Sequence, residues 1–206
     1  MTRIGATTVR LGVVLFVAGC SFPSLSKTPT VRFRGEAVDP VGDTASVADQ
    51  RVARPADLVY ARVEITDAAV RFTARFAPGS LDSATTGVAF LLDTDLDPGT
   101  GQRDPGIGVD YLVRLHAGPL RGATLARAVT DANCATPGVP CRYESVDHTD
   151  IVISKDEMET LIPRSAFTKI ERLNFRAIAY ANLDGGRQTR TSDNMPNLPA
   201  QFVMVR

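Results

Sequence analysis

Apolar and polar residues alternate along much of the chain with a period of two, the spacing of a strand with one wet face. In 58–66, LVYARVEIT, Val59, Ala61, Val63 and Ile65 fall on one face. In 69–76, AVRFTARF, Val70, Phe72, Ala74 and Phe76 take one face while Arg71, Thr73 and Arg75 take the other. Thr66-Asp67-Ala68 reads as the turn between them, so the pair predicts a hairpin. GVAFLLD (87–93) is apolar nearly throughout and predicts a buried central strand. In VDYLVRLH (109–116), Val109, Tyr111, Val113 and Leu115 alternate with Asp110, Leu112, Arg114 and His116. Further strands are predicted near 122–130, 141–146, 150–154, 158–162, 172–182 and 200–206. Asp184-Gly185-Gly186 marks another turn, and Ser165 to Ile170 predicts one helical turn after Pro163. Helical periodicity is otherwise scarce, and no internal repeat is visible. Many short strands between turn signals predict an all-β fold, an antiparallel β-sandwich of the jelly-roll kind.

One apolar run stands outside this pattern, at the start of the chain. Arg3 and Arg10 flank the approach to LGVVLFVAGC, which ends at Cys20. A positive start, a short apolar core and small residues before a cut site predict a secretory signal, not a structural element. The run is about ten residues, roughly half of what a membrane-spanning helix needs. VAGC resembles the bacterial lipobox, in which a cysteine after a small pair, here Ala18-Gly19, is lipidated and becomes the first residue. On that reading Cys20 carries acyl chains such as palmitate, and two or more chains anchor it stably in a membrane. The alternative is an ordinary signal peptide with a chance cysteine. Ser21 stands where an aspartate would point to the inner membrane, so the resemblance implies the outer membrane, on its periplasmic or surface face. SFPSLSKTPT (21–30) is rich in Ser, Thr and Pro and reads as a tether. The expected organisation is a lipoprotein signal peptide at 1–19, lipidated Cys20 and tether at 20–34, and one β-sandwich domain at 35–206.

Removing 19 residues leaves 187, enough for a single sizeable core. That chain carries 21 Lys and Arg against 23 Asp and Glu, a net charge of −2. Such a balance gives no electrostatic footprint for nucleic acid. Cys134 and Cys141 flank ATPGVP, whose Pro-Gly step turns the chain back and can bring the two thiols together. Disulfides persist in exported proteins, so the pair is expected to be bridged. Metal-binding thiols are the alternative, but two cysteines without neighbouring histidines make a poor zinc site.

The candidate chemistry lies in 91–104, LLDTDLDPGTGQRD. Asp93, Asp95, Asp97 and Asp104 stand at positions 1, 3, 5 and 12 of a loop leaving an apolar strand. Carboxylates at that spacing suit Ca2+, since alternate residues of a curled loop turn oxygens toward one hard cation. The loop is not an EF-hand: Pro98 stands at the turn-glycine position, Asp104 replaces the longer bidentate Glu, and no helices flank it. The alternative is a solvated hairpin loop, with aspartates favouring turns and Pro98-Gly99 supplying the bend.

No GxSxG elbow, HExxH or Walker loop occurs. His116 and His148 are the only histidines, and without an identifiable nucleophile they read as solvated surface residues. A hydrolase using paired carboxylates is the catalytic alternative, but the chain reads as a non-catalytic binding domain. Sugar sites usually stack aromatic faces; there is no tryptophan, and Tyr60, Tyr111, Tyr143 and Tyr180 are the tyrosines. Tyr60 and Tyr143 are the ones on which a glycan-binding role would rest. A glycan or an envelope protein is the expected kind of partner besides the membrane.

The order of short motifs is similar to that of the DOMON-like and family 9 carbohydrate-binding-module-like β-sandwiches. VDPVGD (38–43) opens it, and a hairpin and a strand running into LDTDLDPGTG follow. GVDYLVRL, LIPRSAF and a late SDNMPN before the last strand complete it. The likeness covers most of 31–206 and implies an exported sandwich that binds sugar, haem or calcium. The tryptophans of the sugar-binding branch are missing here. In the haem branch, methionine and histidine ligate iron, and Met158, Met195 and Met204 with His116 and His148 would be the residues to supply them.

Overall fold

The computed structural model describes residues 29–44, 56–130, 134, 140–183, 187–188, 193–196 and 202–206. The signal segment, Cys20 and the turn at 184–186 lie outside them. Fifteen strands run in chain order: β1 (Val31–Val38), β2 (Leu58–Thr66), β3 (Ala69–Phe76), β4 (Thr86–Asp93), β5 (Gln102–Asp104), β6 (Ile107–Val109), β7 (Tyr111–His116), β8 (Gly122–Ala128), β9 (Tyr143–Thr149), β10 (Ile151–Ser154), β11 (Glu157–Pro163), β12 (Leu173–Leu183), β13 (Arg187–Gln188), β14 (Asp193–Met195) and β15 (Val203–Val205). Among the described residues the only helical pieces are 3-10 turns at Gly118–Leu120 and Arg164–Ala166.

All pairings are antiparallel and form two main sheets. One has the order β1-β2-β3-β11-β10; the other runs β13-β12-β4-β7-β8-β9, with β14 and β15 also pairing β12. The inner faces meet in a core that includes Val63, Phe72, Phe90, Val113, Leu125 and Phe175. Phe90 joins the layers, its ring centroid 5.3 Å from Phe72 and 6.1 Å from Phe175. This is the all-β sandwich that the alternation predicts. Fully burying side chains of this size stabilises by roughly 1.5–3 kcal/mol each.

The β2–β3 hairpin forms at the expected turn, with Thr66 Oγ1 accepting from the Ala69 N–H at 3.0 Å. One face differs from the expectation. The register shifts between Leu58 and Tyr60, a bulge that opposes two residues of β2 to one of β3. Leu58 therefore enters the core in place of Val59, which is half-buried. Strand β1 begins at Val31, so residues 31–34, expected at the end of the tether, pair with β2 instead. The turn expected at 165–170 is a 3-10 turn at Arg164–Ala166. Phe167 is already extended (φ −98, ψ 140) and packs edge-on to Tyr111.

The outer faces differ. On the first sheet, arginines and glutamates alternate across the strands, and Glu64 sits among Arg34, Arg62 and Arg71. On the second sheet, Ala89, Leu91, Leu112 and Tyr180 form a smaller apolar cluster. The β5–β6 hairpin covers it through Ile107 and Val109. That hairpin continues the acidic loop and fixes the end of the sandwich where β4 finishes.

Candidate metal centre

Strand β4 ends in Asp93, which pairs in register with Asn174 of β12. Strand β7 starts at Tyr111, opposite Leu92, so Asp110 lies beside the point where the loop leaves β4. The Asp110 N–H donates to the Leu92 carbonyl at 2.8 Å. Thr94 ties the other side: its N–H and its Oγ1 both donate to Asp110 Oδ2 at 2.8 Å. The result is a cluster in which Asp93, Asp95 and Asp110 each bring one carboxylate oxygen within 4.8 Å of the others.

Asp93 is 0% exposed. One of its oxygens, Oδ2, accepts from Asn174 Nδ2 at 3.2 Å. The other, Oδ1, is buried and accepts no hydrogen bond of normal geometry among the described residues, and neither does Asn174 Oδ1. A buried acceptor without a well-formed hydrogen bond is costly. Burial pushes the Asp93 carboxyl above its usual range; the Asn174 amide and the Leu96 backbone N–H oppose this, and the charges of Asp110 and Asp95 add to it. Burial likewise pushes Asp110 up, against the hydrogen bonds from Thr94. A hard cation among these oxygens would neutralise the repulsion and give Asp93 Oδ1 a well-placed partner. The donor set is all oxygen and anionic, which suits Ca2+ or Mg2+ and not a soft metal.

Two of the four aspartates named from the sequence belong to this cluster, Asp93 and Asp95. Asp97 and Asp104 are placed in other contacts. Asp97 Oδ1 caps its own turn by accepting from the Gly99 N–H at 2.8 Å. Asp104 pairs with Arg176 of β12 across the hairpin. The loop curls because Asp95 Oδ1 accepts from the Asp97 N–H at 3.0 Å and Thr100 Oγ1 returns to Asp95. It then lies flat on β6, where a Cβ at Gly108 would collide with the carbonyl oxygens of Asp97 and Thr100. The third member of the cluster, Asp110, reads in the sequence only as a polar position of an alternating strand. Its signal is the acid between Val109 and Tyr111, where the strand breaks in two.

A second acidic group lies further along β12. Asp39 follows β1, Asp43 lies four residues on, and Asp193 opens β14; their oxygens also fall within 4.8 Å of one another. Asp193 pairs through Ala179, five residues along β12 from Asn174, or roughly 17 Å at ~3.4 Å per residue. VDPVGD (38–43) and Asp193, far apart in sequence, meet here. Asp193 Oδ2 accepts from the Leu58 N–H at 2.5 Å. Asp57 Oδ2 accepts from the Gly42 N–H at 2.7 Å. Burial pushes Asp193 up to about 7, the Leu58 N–H opposing it and Asp43 adding to it. Burial, with the charges of Asp43 and Asp57, pushes Asp39 up to about 6. Burial thus favours the protonated forms of Asp39 and Asp193, which lessens the repulsion in this group.

The remaining candidates have structural partners. Cys134 and Cys141 form a disulfide with Cα atoms 4.4 Å apart. It packs against Ala128 and Tyr143 and clamps the connection from β8 to β9. Tyr60 donates to Glu36 at 2.7 Å and lies under the Arg75 guanidinium, 4.5 Å from the ring centre. Burial pushes the Tyr143 hydroxyl up to about 12. His116 Nδ1 lies 3.3 Å from the Tyr180 hydroxyl on the outer face of the second sheet. His148 Nε2 lies 3.2 Å from Ser145 Oγ. Met158 of the first sheet and Met195 of β14 are buried in the inter-sheet core, whereas His116 lies beside Tyr180 on the outer side of the second sheet. No protein-family model matches the chain, and no curated protein matches it.

Proposed function

We propose that this chain is an exported, lipid-anchored envelope protein. Its β-sandwich binds Ca2+ through Asp93, Asp95 and Asp110 and serves in binding rather than catalysis. The observation that carries the metal reading is the Asp93 carboxylate, fully buried with an oxygen that accepts no hydrogen bond of normal geometry among the described residues, and facing two further carboxylates. Calcium favours six to eight oxygen ligands in a flexible arrangement, and a loop with Asp95 at its exposed tip supplies that flexibility. The cation would join the ends of β4 and β7 to the loop between them, so its main effect is to hold strand ends together. The export reading rests on the N-terminal pattern ending at Cys20 and on the disulfide.

Melting the protein in calcium and in chelator tests the metal. Ligand binding to the folded state at a hundredfold excess over Kd stabilises by about 2.7 kcal/mol. For a domain of this size the shift is roughly 5–10 °C. Equal melting temperatures in the two buffers would contradict the reading. Radioactive fatty acid tests the anchor: the wild type takes up label and Cys20→Ser does not, and label on the variant would overturn lipidation.

A further inference from the structure

The candidate metal centre opens onto a cavity of about 750 Å3, within the ~300–1,000 Å3 range of small-molecule sites. Asp95 and Asp110 line it, whereas Asp93 lies behind them with no exposure. An ion held by the three would have Asp93 at its back and the cavity in front. Three carboxylates would leave a calcium ion short of its six to eight oxygen ligands, and the cavity is where further ones could come from.

The charge around the cavity changes with the cation. Four acids line it: Asp95, Asp110, Glu144 and Glu171. Three bases face them: Arg127, Lys169 and Arg172. With Asp93 behind the wall the acids exceed the bases by two, and a divalent cation would bring the site to neutrality. An anion would therefore be repelled without the metal and free to reach the bases with it. Hydroxyl oxygens of Thr94, Thr130 and Thr168 line the wall and can accept hydrogen bonds. The Thr94 proton is given to Asp110 and the Tyr111 proton to Thr168 Oγ1, at 3.1 Å. One wall is rigid, because Ala128 packs on the Cys134–Cys141 disulfide.

We propose that this cavity binds a small hydroxylated carboxylate, the chemistry of a uronic acid, with the ligand carboxylate completing the coordination of the cation. The proposal rests on the calcium reading above and goes beyond it in assigning a ligand class and a location. The cation and the arginine and lysine side chains hold the carboxylate, while the threonine hydroxyl oxygens accept from the ligand's own hydroxyls.

Calorimetric titration of the purified protein with digalacturonic acid, in calcium and in chelator, tests it. The neutral disaccharide galactobiose serves as the uncharged probe. Digalacturonate is expected to bind in calcium at least about tenfold more tightly than in chelator, and more tightly than galactobiose by a similar factor. The double variant Lys169→Glu with Arg172→Glu should weaken digalacturonate binding by at least about tenfold while the calcium-dependent melting shift persists. A persistent calcium shift without digalacturonate binding would overturn the ligand assignment and leave the metal reading standing. Equal binding of the neutral probe, or binding indifferent to chelator, would overturn it as well. Loss of the calcium shift in the wild type would remove both.

Discussion

Asp93 shows how a residue's role depends on what lies behind it. On the chain it is one of four similar aspartates. In the fold it is the one with no solvent and with an oxygen that accepts no hydrogen bond of normal geometry among the described residues. Asp93→Asn and Asp110→Asn are each expected to abolish most of the calcium-dependent rise in melting temperature. Asp97→Asn should keep it, because Asp97 caps the Gly99 turn instead. A calorimetric melt of the three variants with and without calcium checks this. The other acidic group makes a prediction of opposite character. Asp39 and Asp193 titrate at about 6 and about 7 when folded, against about 3.9 for an unfolded aspartate. The folded state holds protons that the unfolded chain releases, so this contribution is fully present below about pH 4. It is lost as pH rises through about 6 and about 7. In chelator, urea stability of the wild type should fall over that window more than that of Asp193→Asn. Equal slopes would contradict the assignment.

Alternation makes single elements legible, and neighbouring elements set what it misses. The β2–β3 hairpin, the buried β4 and the alternating β7 all follow from period-two patterning. Val59 was expected inside because the pattern assumes unbroken register, and the bulge at Leu58–Tyr60 hands that place to Leu58. The sites depend still more on pairing. Asp110 joins Asp93 only because β4 and β7 lie side by side, a relation that no local spacing in 91–104 encodes. Asp39 and Asp193 meet only through strands far apart in sequence. The acidic loop also relies on an element it does not contain, the floor at Gly108. Gly108→Ala would force the 97–100 backbone away from β6. It is expected to cost about 1–3 kcal/mol, as overpacking does, and to weaken calcium binding because Asp95 moves with the loop. Urea unfolding and a calcium titration of that variant read the two effects separately. Replacing both Cys134 and Cys141 by Ser should cost about 2–3 kcal/mol by the chain-entropy relation for so short a loop. The loss should be seen in urea unfolding.

Across the whole molecule, two sheets share one core, and two carboxylate groups form beside it, one within residues 93–110 and one joining residues 39–43 to Asp193. The two groups differ: burial favours the protonated forms of Asp39 and Asp193, and a cation is proposed for Asp93, Asp95 and Asp110. The sequence pattern carries the fold class because burying alternate residues of many short strands leaves few architectures. The complete ligand set stayed hidden because it is assembled by sheet order, not by spacing along the loop. An anomalous-difference map from crystals grown in calcium tests the central claim most directly. The expected result is a peak at about 2.3–2.6 Å from oxygens of Asp93, Asp95 and Asp110. No peak there, or a peak held by Asp97 and Asp104 instead, would contradict it.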